Sequence, residues 1–538
     1  MTKALLLVPH FWDPVCVPLG VSSLKAWAEI YGHQVDLFDF NTVAGIFDAQ
    51  RQYFDEGKKQ FPEWKLWNIE RNGTEMLAQH QMVYLFAGRR SNYRELVAEV
   101  VNLSGLPHSQ VLDRLNTERF DAIFATLYKR VRQLVEILIA RSKPQVVGCS
   151  LYNSTWPATL FILRAVKEIS PETRTVVGGP GPLMGITSKE SEVIDFINAN
   201  DFIDYFIIGE GEVALTHILD HPDLPRGIVV ASELMNREKP LAMSELPLPD
   251  YSGLSVDKYL QLSVAGSRGC PFECSFCAET IFWDKFRLAD VSLLTEQILT
   301  LKSKYQRDSF YLCDSLANPI ISQLTADLCR LGENVRLDSY LRADKICTSF
   351  SRTRKWREGG LIRARLGMES ASQRLLNQMN KMTNVDLMAA SLQSLATNDI
   401  MTSTLWIVGY PGETDDEFDM TLKFIRENKN YIYQSDAWLF QYHPEGLAGS
   451  GEFQQMSKNK YRFSNELNQL FAVSPYQLEQ GLSLPEKFDR LERFVQAMNI
   501  CEIPNPYTMH EWHFASRRWK ALPSGRKWAD KNIVSFNV

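Results

Sequence analysis

Ser267-Arg268-Gly269-Cys270-Pro271-Phe272-Glu273-Cys274-Ser275-Phe276-Cys277 sets three cysteines at spacings of four and three in one short segment. Thiolates are soft ligands and suit iron–sulfur clusters. A four-iron cluster on three thiolates keeps one iron open to a non-protein ligand, whereas a four-cysteine cluster mostly carries electrons. A structural zinc site needs a fourth Cys or His nearby in sequence, and the closest later cysteine is Cys313. A disulfide framework needs an oxidising compartment. The other six cysteines, Cys16, Cys149, Cys313, Cys329, Cys347 and Cys501, are scattered as in a cytoplasmic protein.

Gly269 and Pro271 shape a tight loop, residues 260–264 before it read as a strand, and 291–301 after it as an amphipathic helix. Further strand candidates are 309–312, 336–341, 362–366 and 404–408. They end on Asp314, on Arg342 and Asp344, on Glu369, and on Gly409-Tyr410-Pro411-Gly412-Glu413-Thr414. Polar residues at successive strand ends are what the mouth of a parallel α/β barrel requires. This second unit spans 259–445.

Ahead of it, residues 1–235 alternate apolar strands (4–8, 33–38, 145–150, 173–177, 205–208) with helices, the pattern of a doubly wound, Rossmann-like parallel sheet. Such sheets bind ligands at the carboxyl ends of their strands. Those ends carry Pro18-Leu19-Gly20, Ser150, Gly178-Gly179-Pro180 and Gly209-Glu210-Gly211-Glu212. Small residues there let backbone approach a flat, bulky ligand. An insertion at 42–140 reads as helical, with Ile123, Phe124, Leu127, Val131, Leu134 and Leu138 forming a stripe that packs onto the domain. Residues 236–258 form a proline-stiffened linker. A C-terminal extension, 446–538, reads as helical to Met498 and then turns aromatic and proline-rich.

The 538 residues exceed a single core. A net charge of -6 and the lack of any Lys/Arg block argue against a nucleic-acid partner. No apolar run approaches the ~18 residues of a membrane span, and the apolar run after Met1 is too short for a signal peptide.

With the cysteine loop, Leu366-Gly367-Met368-Glu369-Ser370 with Leu376 and Lys381, and the Gly409–Thr414 turn, the second unit resembles the partial (β/α)6 barrel of the radical S-adenosylmethionine (SAM) enzymes. The glycine turns of the first unit resemble the cobalamin-binding domain fused to such enzymes. The resemblance covers about residues 1–445 apart from the insertion. It implies that Cys270, Cys274 and Cys277 hold a [4Fe–4S] cluster whose open iron takes SAM. Phe276 is expected against the adenine, with backbone groups of Gly409, Tyr410 and Pro411. Arg342 is expected on the SAM carboxylate, and Asp314 and Glu369 on its ammonium and ribose. The Asp-x-His-x-x-Gly cobalt-ligating motif is absent, which implies cobalamin bound without a histidine below the metal. Tyr442 and His443, near the barrel's end, are candidates to face substrate.

The resemblance implies a C-methyltransferase acting on an unactivated carbon of a natural-product intermediate or peptide, supplied by an external low-potential electron donor. One alternative is rearrangement, ring contraction or cyclisation with the same cofactors. Methylthio transfer to transfer RNA would need a further N-terminal cysteine trio and a basic tail, which are absent. A cobalamin-binding sensor or an electron-transfer protein would not need polar residues at a barrel mouth.

Overall fold

The structure is a computed structural model. It describes residues 1–11, 15–62, 75–88, 91–101, 108–179, 200–234, 240–277, 279–283, 285–440, 460–461, 476–477 and 481–505. These fall into two compact units. The first rests on Met1–Ser263 and takes in Ala278–Lys285. The second rests on Val264–Cys277, Phe286–Gln441 and the described part of Gln480–Val538.

In the first unit, β1 (Lys3–Val8), β2 (Gln34–Asp39), β3 (Val146–Ser150), β4 (Arg174–Gly178), β5 (Tyr205–Ile208) and β6 (Gly227–Val230) form one sheet. Its order is β2-β1-β3-β4-β5-β6 and every neighbouring pair is parallel. Ala4 to Val8 are all buried, as expected of a central parallel strand covered on both faces. The order reverses between β1 and β3, so a crevice is expected beyond their carboxyl ends. The short strand β6 follows Pro225-Arg226 and escapes the sequence pattern.

Between β2 and β3 lie the helices Ile46–Gln60, Tyr93–Val101, His108–Arg114 and Thr117–Ser142. The last packs onto the domain through the expected stripe: Phe124, Leu127 and Val131 are buried, and Ile123, Leu134 and Leu138 are half-buried and packed against the same core. Phe120, Tyr128, Val135 and Ile139 widen that buried face. Residues 246–251, in the expected linker, lie against this unit. The Asp250 N–H donates to the Ser22 carbonyl at 3.2 Å, and the buried Tyr259 hydroxyl bonds Asp39.

The second sheet runs in chain order: β7 (Leu262–Val264), β10 (Ser309–Leu312), β11 (Arg336–Leu341), β12 (Leu361–Glu369), β13 (Met401–Val408) and β14 (Gln434–Leu439). The pairs β10–β11, β11–β12, β12–β13 and β13–β14 are parallel, with helices such as Val291–Tyr305, Asn318–Arg330, Phe350–Glu358 and Val385–Thr397 between strands. This is a partial (β/α)6 barrel. β14 escapes the sequence pattern because Gln-Ser-Asp-Ala-Trp-Leu offers no apolar run. Alternation along the strands sends Phe310, Leu312, Leu337, Leu341, Ala364, Leu366 and Met368 into the core. It leaves Tyr311, Asp338, Tyr340, Arg342, Arg363, Arg365, Gly367 and Glu369 on the other face. Two short ladders, β8 (Ser267–Arg268) with β9 (Arg287–Leu288) and β15 (Lys460–Tyr461) with β16 (Tyr476–Gln477), complete the strands.

In the C-terminal extension the helix Leu484–Ile500 opens on a capping box between Ser483 and Glu486.

Candidate functional site

The cysteine loop is pinned from the end of the helix Gln373–Gln378 and from the turn after β13. The Ser275 N–H donates to the Met379 carbonyl at 3.0 Å, Asn380 Nδ2 to the Glu273 carbonyl at 2.9 Å, and the Ser275 and Tyr410 hydroxyls lie 2.7 Å apart. Within the loop, the Cys277 N–H donates to the Cys274 carbonyl at 3.0 Å. Cys274 is buried, Cys270 and Cys277 half-buried. Burial pushes the Cys270 thiol up. Among the described residues no three Cys, His, Asp or Glu groups are arranged around a single ion. A four-iron cluster does not ask for that, because each thiolate meets a different iron.

Arg342, just past β11, is 6% exposed. Its guanidinium lies 3.9 Å over the Phe272 ring, and Nη1 sits 3.9 Å from Cys274 Sγ. Nη2 is buried without a hydrogen-bond partner. Its neighbour Asp344 takes its bonds from Asn318 Nδ2 at 2.9 Å and the Ile346 N–H at 3.0 Å. Asn318 also grips the Arg342 backbone on both sides, at 2.7 and 3.0 Å. Asn318 was not singled out in the sequence; its distance of 24 residues from Arg342 hides the pairing. A buried guanidinium beside the cysteine loop, with a free donor and no carboxylate partner among the described residues, is a place for an anion.

Glu369 ends β12 in the left-handed region, φ +63°. Its carboxylate takes Lys381 Nζ at 2.7 Å, both side chains about one-tenth exposed. Lys381 Nζ also stands 5.5 Å from the Phe276 ring centroid. Gly367 makes room for the pair: a Cβ there would meet Glu369 Oε1 at 2.5 Å and Lys381 Nζ at 3.0 Å.

Asp314 follows β10 and is buried. It accepts from the Gly266 N–H at 3.0 Å and from the Ser267 hydroxyl. Burial raises its carboxyl to about 7. It thus holds the approach to the cysteine loop through Gly266 and Ser267.

Gly409, Tyr410 and Pro411 are buried at the end of β13. Gly409 has φ +76°, and its N–H donates to Glu413 Oε2 at 2.8 Å. Arg490 from the C-terminal helix reaches the same oxygen at 2.7 Å.

In the first unit, Pro18 caps the helix Leu19–Ile30 and its carbonyl accepts from Ser22 Oγ at 2.8 Å. Gly20 is exposed, and a Cβ there would meet nothing within 4 Å. Ser150 ends β3 and Gly178 ends β4, paired in register. Gly178 and Gly179 are small for the protein's own packing. Added Cβ atoms would lie 3.2 Å from Ile207 Cβ and 2.9 Å from the Leu151 carbonyl. Gly209 turns the chain at φ +85°, and Gly211 passes Leu24 with 3.0 Å for a Cβ. Glu210 stands at the N-cap of the helix Gly211–Asp220, and Glu212 is buried in its first turn. Strand adjacency brings these ends to one edge of the sheet. Pro180, Tyr442 and His443 lie outside the described residues.

Residues 264–425 match the family model "Radical SAM superfamily". Over 324 residues the chain is 28% identical to an anaerobic magnesium-protoporphyrin IX monomethyl ester cyclase of Rubrivivax gelatinosus, covering 54% of this chain and 55% of the relative. Over 311 residues it is 24% identical to the cobalamin-dependent radical SAM methyltransferase TokK of Streptomyces tokunonensis, covering 51% and 44%. The chain spans about half the length of these curated relatives. The solved structure of the radical SAM methyltransferase TsrM of Kitasatospora setae, with cobalamin and a [4Fe–4S] cluster, superposes with a TM-score of 0.56 at 12% identity, covering 86% of this chain and 81% of that one. The chain therefore carries a radical SAM domain and has the fold of the cobalamin-dependent radical SAM methyltransferases.

Proposed function

We propose that the chain is a cobalamin-dependent radical SAM enzyme that transfers a methyl group to carbon of a small-molecule substrate. The observation that carries this reading is the environment of the cysteine loop. Arg342, Glu369 with Lys381, and the Gly409 turn converge on it, and the buried Nη2 of Arg342 has no partner. The donor set fits the groups proposed. Cys270, Cys274 and Cys277 would hold the [4Fe–4S] cluster. Arg342 would take the SAM carboxylate, Glu369 its ammonium or ribose, and backbone groups of Gly409 to Pro411 the adenine. The carboxyl edge of β1, β3, β4 and β5 would hold cobalamin. When bound, the cluster with SAM supplies hydrogen-atom abstraction and cobalamin supplies methyl transfer. The chain's own part is to orient and to exclude water. Cys274 is buried, Phe272 is stacked on Arg342, and Phe276 stands beside Lys381. An external low-potential electron donor is part of the proposal.

Cyclisation without methyl transfer is the second reading, favoured by the 28% identity to a cyclase. Anaerobic reconstitution tests the proposal. About four irons per chain, retained cobalamin, reductive cleavage of SAM and incorporation of labelled methyl into product are expected. The Cys270→Ala, Cys274→Ala, Cys277→Ala triple variant should lose iron and cleavage together. Full cleavage in that variant would overturn the assignment. Turnover without label would favour cyclisation.

A further inference from the structure

Strand alternation places a second polar constellation on the inner face of the barrel sheet, toward the amino ends of the strands from Arg342 and Glu369. Arg365 on β12 lays a bidentate fork on Asp338 of β11, with Nε at 2.8 Å and Nη2 at 2.7 Å. Its guanidinium lies against two tyrosine rings, 5.1 Å from the Tyr311 centroid and 5.8 Å from that of Tyr340. The two rings meet edge to face at 6.2 Å. A second guanidinium, Arg363, is buried beside them. It donates to Ser403 Oγ at 2.9 Å and to Gln434, and its Nη1 is 3.8 Å from Asp338. Asp338 is 1% exposed, so one buried carboxylate stands against two guanidinium groups.

The Arg365 fork uses Nε and Nη2. Nη1 makes no hydrogen bond among the described residues, nor do the Tyr311 and Tyr340 hydroxyls, and none of the three is a sealed, unsatisfied atom. The Arg365 side chain keeps 19% of its surface. Two phenols and one guanidinium edge therefore offer donors toward the barrel's inner space, over a site with an excess of one positive charge. A purely structural Arg–Asp pair would need neither the second arginine nor two unpaired phenols. Arg365 lies two residues before Gly367, over which the Glu369–Lys381 pair folds back, and Tyr340 two residues before Arg342, about 7 Å along the strand. The constellation therefore adjoins the place proposed for the SAM carboxylate, on the side of the amino ends of the strands.

We infer that Arg365, Tyr311 and Tyr340 form a carboxylate-binding subsite, and that the substrate of this enzyme carries a carboxylate anchored there. This rests on the proposed function for the word substrate, but the subsite stands on its own geometry. The guanidinium edge and the phenols suit a planar anion, because charge-assisted hydrogen bonds from a fork are strong and directional.

The test uses the reconstituted full chain with SAM saturating, so that the SAM carboxylate is supplied at its own site. 4-Fluorobenzoate and its neutral counterpart 4-fluorobenzamide are titrated and followed by 19F NMR line broadening. Saturable binding of the acid, at least about tenfold tighter than the amide, is expected. The Tyr311→Phe, Tyr340→Phe double variant should weaken the acid about tenfold and leave the amide unchanged, with iron content and thermal melting as in the wild type. Arg365→Lys keeps the charge beside Asp338 but loses the free edge, and should weaken the acid in the same direction. Equal affinity for acid and amide, or an acid affinity untouched by the double variant, would overturn the inference. Failure of SAM cleavage with the acid still bound at Arg365 would instead remove the proposed function and leave the subsite.

Discussion

Replacing Arg490 by Met tests how the C-terminal helix supports the barrel. Arg490 and Glu413 are 6% and 1% exposed and lie 2.7 Å apart. Arg490 also donates to the Glu413 carbonyl at 3.2 Å. Its bonds to Asp415, a side chain 70% exposed, add little. Removing the cation leaves Glu413 buried with the Gly409 N–H, at 2.8 Å, as its remaining donor among the described residues. Breaking a buried pair from one side costs about 3–5 kcal/mol. For a unit of this size that lowers Tm by roughly 6–20 °C. The pH dependence gives a sharper check. Burial already raises the Glu413 carboxyl, and Arg490 opposes the rise. Without Arg490 the folded-state value climbs further. A carboxyl raised in the folded state binds more protons there than in the unfolded chain. Stability therefore falls as pH rises from the unfolded value, about 4.3, through the folded one. The deficit of Arg490→Met should be smallest in acid, near the unfolded carboxyl value of about 4.3, and grow as pH rises above it, measured by calorimetry. Adding Glu413→Gln should restore most of it. A deficit below about 1 kcal/mol, one independent of pH, or one not relieved by Glu413→Gln would refute the reasoning.

Arg342→Lys should weaken equilibrium binding of SAM roughly ten- to hundredfold, the loss of a charge-assisted fork of about 1.5–3 kcal/mol, while iron, cobalamin content and melting stay normal; an unchanged dissociation constant would remove Arg342 from the site. Asp314, raised to about 7, penalises the folded state increasingly as pH climbs from about 4 to about 7. Asp314→Asn should flatten that part of the stability–pH curve, and chemical denaturation at several pH values shows whether it does. Gly367→Ala should displace Lys381 from Glu369, since its Cβ would fall 2.5 Å from Glu369 Oε1. The expected result is weaker SAM binding with the fold retained by circular dichroism, and wild-type affinity would show that the pair is not needed.

Long apolar runs made most of the fold legible. Residues 4–8 read as a strand because a central parallel strand is buried on both faces and needs continuous hydrophobicity, and 336–341 because Leu337 and Leu341 alternate with polar residues. β6 and β14 were not legible for the converse reason: they are short or lie at the end of the sheet order, where burial asks less of the sequence. The helix Thr117–Ser142 and the stripe it packs with were legible from the helical period, while Tyr128, Val135 and Ile139 widen the buried face. At the carboxyl edge of the first sheet, glycines were read as clearance for a ligand. Gly178 and Gly179 also relieve contacts with Ile207 and Leu151, and a sequence does not say which neighbour a missing Cβ spares.

The sequence by itself determined the cysteine loop, the succession of strands and helices, and the polar residues at the strand ends. Each is a local property: ligand spacing within one loop, hydrophobic period, or the residue that ends an apolar run. The tertiary structure alone decided which of those residues meet. It joined Arg342 to Cys274 and Phe272 across 68 residues of chain, turned Asp314 toward Ser267, and set Lys381 on Glu369. It also brought Arg490 from the C-terminal helix to Glu413 and gathered Arg365, Asp338, Tyr311 and Tyr340 from three strands. Such meetings depend on sheet register and on side-chain alternation. One residue of slip would send each of those groups to the opposite face, and no spacing along the chain records the register.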